Sequence, residues 1–317
     1  MFRSRVPWLA RLSQPAPDDS RAFHSGGMRT VLYTALALVA FAANSVLCRI
    51  ALRHDTIDAA TFSTVRLTAG AATLLLLSAW TRQRASQARN SRSSWKSAGM
   101  LFLYAVPFSF AYTRLSTGSG ALILFGCVQM TMMVSALLSG ERPHPLQWFG
   151  LTLALAGLVY LVLPGLEAPS FVGAALMVLA GFSWGVYSLR GRSAANPLQQ
   201  TTDNFLRTVP MVVAVSLLAR SQFHVQRAGI LLAIASGALA SALGYVVWYE
   251  ALRGLTATRA SAVQLLVPIL AALGGVIFLA EAVSTRLLLS AVMVLGGIAL
   301  TLIGRERLSH NAGTSAA

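Results

Sequence analysis

Long apolar stretches fill most of this chain, separated by short polar or charged connectors. About twenty apolar residues at 1.5 Å each cross a bilayer core of ~30 Å. On that measure the pattern predicts about ten helical spans, near 31–52, 61–80, 97–113, 118–139, 146–163, 171–189, 204–219, 229–249, 259–280 and 286–304. The period-2 alternation of barrel strands is absent, so the predicted class is an all-α integral membrane protein.

The pattern also repeats at an offset of 140 residues. Glu141 falls on Glu281, and residues 135–162 (SALLSGERPHPLQWFGLTLALAGLVYLV) lie over residues 275–302 (GVIFLAEAVSTRLLLSAVMVLGGIALTL). Gly157 meets Gly297, Leu155 meets Leu295, and Val46 meets Val186. Two related halves that rock around one shared site are a recurrent design of carriers. The expected organisation is a tail at 1–28, repeats of five spans at 29–165 and 166–305, and a second tail at 306–317.

Composition agrees. Hydrophobic residues make up 56% and charged residues 11%, with a mean hydropathy of +0.65, against roughly a quarter charged in an ordinary soluble domain. The net charge of +15 would suggest nucleic acid if it were clustered, but its distribution is topological. Seventeen basic residues fall in six places on one side: before the first span, across 82–96, at Arg142, at Arg190 and Arg192, at Arg253 and Arg259, and at Arg305 and Arg307. Five fall on the other: Arg53, Arg114, Arg220, Arg227 and Arg286. This bias places both termini in the cytosol and inverts the second half relative to the first. Nucleic acid is not an expected partner; the lipid bilayer is.

Several chemistries are excluded. Cys48 and Cys127 sit inside apolar stretches with no CxxC partner and read as packing residues. The five His are scattered without ligand spacing, and no phosphate-binding loop or nucleophile elbow occurs. No cofactor or metal is expected, and no enzyme. Gly118-Ser119-Gly120 reads as a tight turn between spans. Residues 40–42 (AFA) resemble a signal-peptidase site, but removing 1–42 would delete the partner of the span at 171–189. Translation from Met28 is the simpler expectation.

Ionisable groups inside a membrane are costly, by ~2.5–3.5 kcal/mol each on insertion scales, so the few present are informative. Arg66 and Arg207 nearly superpose under the repeat, and each precedes a helix-weakening residue, Gly70 or Pro210. A guanidinium beside a loosened helix can offer its fork to a carboxylate, which makes both candidates for binding an anionic or zwitterionic metabolite. The alternative is structural: snorkelling, a carbonyl contact, or pairing of Arg207 with Asp203. Arg49, near a span end, reads as an interfacial snorkeller.

Glu250 could carry a coupling proton, or sit at the cytosolic mouth paired with Arg253. Glu141 and Glu281 flank helix starts, where the dipole favours a carboxylate, and are read as structural. Asn44, Ser45, Gln129 and Gln264 either line a wet cavity or join helices. Tyr104, Tyr112, Trp184, Tyr187, Tyr245 and Trp248 either wall that cavity or form an interfacial belt. Gly181-x-x-x-Gly185 and Gly237-x-x-x-Ser241 permit close helix contact. Pro107 and Pro268 mark expected kinks or hinges.

These features together resemble the EamA-type family of the drug/metabolite transporter superfamily. The likeness rests on Ser139-Gly140-Glu141-Arg142 and Leu279-Ala280-Glu281 at the ends of the two fourth spans, with Gly157 and Gly297 late in the spans that follow. Gln264-Leu265-Leu266-Val267-Pro268, Phe108 to Tyr112, Gly118 to Gln129 and Arg66 add to it. The resemblance covers about 28–305. It implies a central cavity, a last helix of each half outside the bundle, and export or exchange of small metabolites, often amino acids. Small multidrug relatives carry a first-helix glutamate; here Ala42-Ala43-Asn44-Ser45 and Phe182-Ser183-Trp184-Gly185 have none.

The expected function is a secondary active transporter, an exporter of a small polar or amphipathic metabolite such as an amino acid, working by alternating access in a bacterial inner membrane. A facilitative channel or uniporter is the alternative. A homodimer through the spans at 146–163 and 286–304 is compatible with the sequence.

Overall fold

The computed structural model describes residues 27–81, 94–138, 145–163, 168–191, 196–255, 260 and 263–314, with side chains described as far as 304. Among these, the regular elements are helices: α1 (Gly27–Arg53), α2 (Ala59–Trp80), α3 (Trp95–Tyr112), α4 (Thr117–Leu138), α5 (Pro145–Val162), α6 (Phe171–Gly191), α7 (Pro197–Leu218), α8 (Arg227–Leu252), α9 (Leu266–Leu279) and α10 (Thr285–Thr314). A short extended contact pairs Ile57 with Val225.

Seven described helices are long and apolar enough to cross a membrane: α1, α2, α4, α5, α6, α8 and α10. Polar residues dilute α3 (Lys96, Ser97) and α7 (Gln199 to Asp203, Arg207), and α9 is described over 14 residues. Large apolar side chains point outward from these helices, among them Val31, Leu32 and Leu36 on α1, Trp148 and Phe149 on α5, and Leu288 and Val292 on α10. Surfaces this apolar are suited to lipid rather than water. The chain is a multi-pass membrane protein.

Several boundaries differ from the sequence expectation. α7 begins at Pro197 rather than near 204, because Asn196 caps it: its side chain accepts from the Gln199 N–H at 3.1 Å, and proline occupies the first helical position. α10 continues to Thr314, through most of the expected tail at 306–317. Gly118-Ser119-Gly120 is not a turn but the start of α4. A Cβ at Gly120 would lie 2.5 Å from the Tyr112 ring, so the glycine is there for that contact.

The packing pairs exchange under the 140-residue shift. α1 lies against α8 and α9; its counterpart α6 lies against α3 and α4. α2 packs on its own counterpart α7, α4 on α9, and α5 on α10. At one end of the bundle Arg49 meets the end of α3, and Gly173 at the start of α6 meets Arg114 and Leu115 just past α3. α1 therefore runs with α3, and α6 runs against both. At the other end Arg190 of α6 donates to Ser97 at the start of α3, 2.9 Å.

α5 and α10 form the most extensive helix pair, with Gly150 and Gly297 backbone to backbone. Their small-residue faces are thus spent inside the chain. A homodimer through these helices would have to use their remaining faces.

Candidate functional site

The face that α2 buries follows helical spacing: Phe62, Ser63, Arg66, Leu67, Gly70, Ala71, Leu74 and Ser78. Arg66 sits in the middle of it, 1% exposed. Its Nε donates to Ser241 Oγ at 3.2 Å and its Nη2 to Tyr104 Oη at 3.2 Å. The guanidinium carbon also lies 4.9 Å from the Phe108 ring centroid and 5.4 Å from that of Tyr104, within cation–π range. Among the described residues, Nη1 has no hydrogen-bond partner.

The network continues through α1. Asn44 Nδ2 donates to the same Tyr104 Oη at 3.2 Å, and Ser236 Oγ donates to Asn44 Oδ1 at 2.7 Å. All of these groups are buried. Four helices therefore contribute to one polar chain: α2 through Arg66, α3 through Tyr104, α1 through Asn44, and α8 through Ser236 and Ser241.

α8 supplies two serines to this chain because of its backbone. Ser236–Leu243 is a π-helical segment inside the longer α-helix. Such segments are uncommon and concentrate at functional sites. Within it, Gly237 presses on the Arg66 carbonyl so closely that a Cβ there would overlap it. Close contact at Gly237-x-x-x-Ser241 was legible in the sequence; the roles of Ser236 and Ser241 as hydrogen-bond partners, and the π segment, were not.

Aromatic rings wall the site. Trp184 of α6 lies 4.9 Å from Tyr104, 4.8 Å from Tyr245 and 5.5 Å from Tyr187, the last pair stacked. Phe41 is edge-on to Trp184, Tyr245 and Trp248. Phe41, Asn44, Ser45, Tyr104, Phe108, Leu124, Phe125, Trp184, Ala240 and Tyr245 line a cavity with about 10 Å3 of free volume, about what one water needs. The cavity is narrow in this conformation.

The structure thus brings together Arg66, Asn44, Trp184 and Tyr187. Arg207, Gln129, Gln264 and Glu250 are not among the residues that line the cavity. Arg207 lies over the Trp95 ring, 5.6 Å from its centroid, and nine residues of α3, roughly 13 Å of helix, separate Trp95 from Tyr104. Gln129 is buried on α4, one turn beyond Phe125, and Gln264 is buried just before α9. Glu250 is exposed at the end of α8 and pairs with Arg253 at 3.0 Å.

Of the helix-weakening residues, Gly70 admits the Phe205 ring, which a Cβ would meet at 2.6 Å. Pro107 is buried inside α3, one residue before Phe108, and its missing N–H removes the i→i−4 bond to Leu103. Pro210 is in the interior of α7 and exposed. Pro268 falls in the first turn of α9, after an interruption at Leu265. Residues 263 and 264 before the interruption are also helical and Leu265 keeps αR angles, so the break falls where the proline's missing N–H leaves the Gln264 carbonyl without its i+4 donor.

Glu281 serves a different helix from the one expected. Its Oε2 accepts from the Thr117 N–H, 2.8 Å, at the start of α4, and its Oε1 from Arg49 Nε, 3.1 Å. Ser284 caps α10 instead. Arg49 is therefore an ion-pair partner, not a snorkeller. Glu141 lies outside the described residues.

Comparison with known proteins follows the same lines. The sequence profile of the EamA-like transporter family matches residues 28–163 and 171–303. An uncharacterized protein of Pseudomonas aeruginosa is 48% identical over 277 residues, covering 87% of this chain and 96% of that one. An uncharacterized transporter of Archaeoglobus fulgidus is 26% identical, covering 71% of this chain and 82% of its own. A probable amino-acid metabolite efflux pump of Escherichia coli is 24% identical, with 62% and 72% covered. A crystal structure matches the fold with a TM-score of 0.62 at 21% identity, over 86% of this chain and 97% of that one.

Proposed function

The chain belongs to the EamA-like transporter family, and from that premise we propose that it is a secondary active transporter exporting a small polar or amphipathic metabolite by alternating access. The observation that carries this reading is the buried chain Ser241–Arg66–Tyr104–Asn44–Ser236, walled by Trp184, Tyr187 and Tyr245. Polar groups this deep in an apolar bundle are expensive unless they serve one another or a ligand. Arg66, Asn44, Trp184 and Tyr187 form the binding site in this proposal.

Two inverted repeats, 29–165 and 166–305, each of five spans, are the architecture we infer. The exchange of packing partners under the 140-residue shift and the opposed directions of α1 and α6 support it. The site lies where helices of both halves meet, as alternating access requires. The narrowness of the cavity, with room for about one water, favours a carrier over an open channel. We place the protein in a bacterial inner membrane with both termini cytosolic, on the basic-residue bias, and drive it by the proton gradient or by exchange. The efflux-pump relative supports export.

The test compares intracellular and extracellular metabolites in cells lacking and overproducing the protein. A compound whose distribution moves in opposite directions in the two strains identifies the cargo. Identical metabolite distributions in both would overturn export.

A further inference from the structure

We propose that the cavity is an anion site whose ligand carries a single carboxylate on a flat apolar body, and that Arg66 selects it by charge. This rests on the carrier reading above and narrows its substrate class.

The argument begins with a missing counter-charge. Arg66 stays protonated under all biological conditions, and it is 1% exposed. Its hydrogen-bond acceptors, Tyr104 Oη and Ser241 Oγ, are neutral. The sequences of α1, α2, α3, α4 and α6 contain no Asp or Glu. On α7, Asp203 accepts from Gln199 and sits beside Thr202, which contacts Ser78, twelve residues of α2 beyond Arg66. On α8, the acid is Glu250, exposed at the helix end and held by Arg253. A buried cation ordinarily has an anionic partner. Nη1 remains unspent, so part of the guanidinium fork is free for an incoming acceptor.

The surroundings define the rest of the ligand. Arg66 lies behind the cavity wall, over Tyr104 and Phe108, which line it. A carboxylate reaches the guanidinium by passing between these rings, and the cavity, with room for about one water, widens to admit the ligand's apolar body. Ser45 and Tyr245 add hydroxyls that can donate to its second oxygen. Phe41, Phe125 and Trp184 add aromatic surface to the lining, suited to a flat apolar group. Nothing among these groups offers a negative charge to an ammonium. A net monoanion therefore neutralises the site, whereas a zwitterion brings a second charge that finds no opposite.

The test uses the purified full chain in lipid nanodiscs and four probes of one shape: 3-phenylpropanoate, its neutral amide 3-phenylpropanamide, zwitterionic phenylalanine and cationic 2-phenylethylamine. Equilibrium binding is read with acetate as a further arm, which separates the bare carboxylate from the amphiphile. The expected result is saturable binding of 3-phenylpropanoate, at least about tenfold tighter than the amide or phenylalanine. Acetate binds more weakly still. Arg66→Lys keeps the charge preference at reduced affinity, and Arg66→Gln abolishes the preference. Because Arg66→Gln can fail to fold, the lysine variant and the wild-type ranking carry the test on their own. Equal binding of acid and amide, tighter binding of phenylalanine, or binding of none of the probes overturns the anion site. The carrier reading is checked separately in proteoliposomes. Binding of the acid without protein-dependent flux sinks the carrier and leaves the site standing, while flux that ignores charge does the reverse.

Discussion

Arg49 on α1 and Glu281 between α9 and α10 form an ion pair at 3.1 Å across 232 residues of sequence, with side chains only 15% and 11% exposed. Each partner holds a second structure. Arg49 Nη1 donates to the Tyr112 carbonyl at the end of α3, 2.8 Å, while Glu281 takes the first N–H of α4. One turn along α1, Arg53 donates to the Leu279 carbonyl. Four elements from both halves are tied at one end of the bundle, below the cavity lined by Asn44 and Ser45.

Breaking that pair is predicted to loosen this end. Arg49→Gln and Glu281→Gln should each lower stability by about 1–3 kcal/mol, less than a fully buried pair because some solvent reaches it. Their double-mutant cycle should show coupling of at least about 0.5 kcal/mol. Cys48, adjacent to Arg49 and fully buried, reports opening directly. In a Cys127→Ala background, Arg49→Gln should speed its labelling by a membrane-impermeant maleimide severalfold. Unchanged labelling with additive stabilities would show that the pair holds nothing closed.

Gly237 tests the crossing of α8 over α2. Gly237→Val forces a side chain into the Arg66 carbonyl, so α8 must move away and carry Ser236 and Ser241 with it. The expected outcome is a loss of about 3 kcal/mol or more, or no folded protein at all. Gly99→Ala on α3 is the control: a Cβ there meets nothing within 4 Å, and helix propensity favours alanine by up to about 1 kcal/mol. Thermal unfolding of both in one detergent checks the contrast. Similar behaviour would mean that the crossing tolerates separation.

Glu250 separates surface chemistry from the site. It pairs with Arg253 at 3.0 Å, but the two side chains are 44% and 66% exposed. Pairs of this kind contribute little. Glu250→Gln should shift stability by less than about 0.5 kcal/mol and leave the pH profile of transport where it was. A displaced profile would return Glu250 to the role of coupling acid.

How far the sequence reached can be judged residue by residue. The helical membrane class was legible because lipid demands long apolar runs, and composition reports that without knowledge of contacts. Arg66 was legible because a charge in such a run has few explanations. Its partners were not. Ser241 looks like a packing serine in a GxxxS pattern and Ser236, just before it, carries no signal of its own; they sit in the π segment, which leaves no periodic trace, and bond Arg66 and Asn44. Arg207 shows the limit of arguing from the repeat: equivalence in sequence places it on the corresponding helix, yet Trp95 rather than the cavity receives it. Asn196 and Pro197 did carry a helix-start signal, masked by the polar turns that follow.

Tyr104 is the junction where the two readings of the polar chain divide. Its hydroxyl accepts from both Asn44 Nδ2 and Arg66 Nη2, and its ring lies against Trp184 and beneath the guanidinium. Tyr104→Phe keeps the ring and removes the acceptor, leaving two buried donors unanswered, at about 1–3 kcal/mol for each donor that finds no water. If the chain merely joined helices, stability would fall and the remaining folded protein would transport at the wild-type rate per molecule. If the chain orients Arg66 toward a ligand, the expected outcome differs. Apparent affinity for the cargo should weaken by about tenfold even after correction for membrane abundance, because the guanidinium loses the hydrogen bond that fixes its plane. Transport measured against cargo concentration distinguishes the two, and an unchanged half-saturation concentration would assign Tyr104 to packing alone.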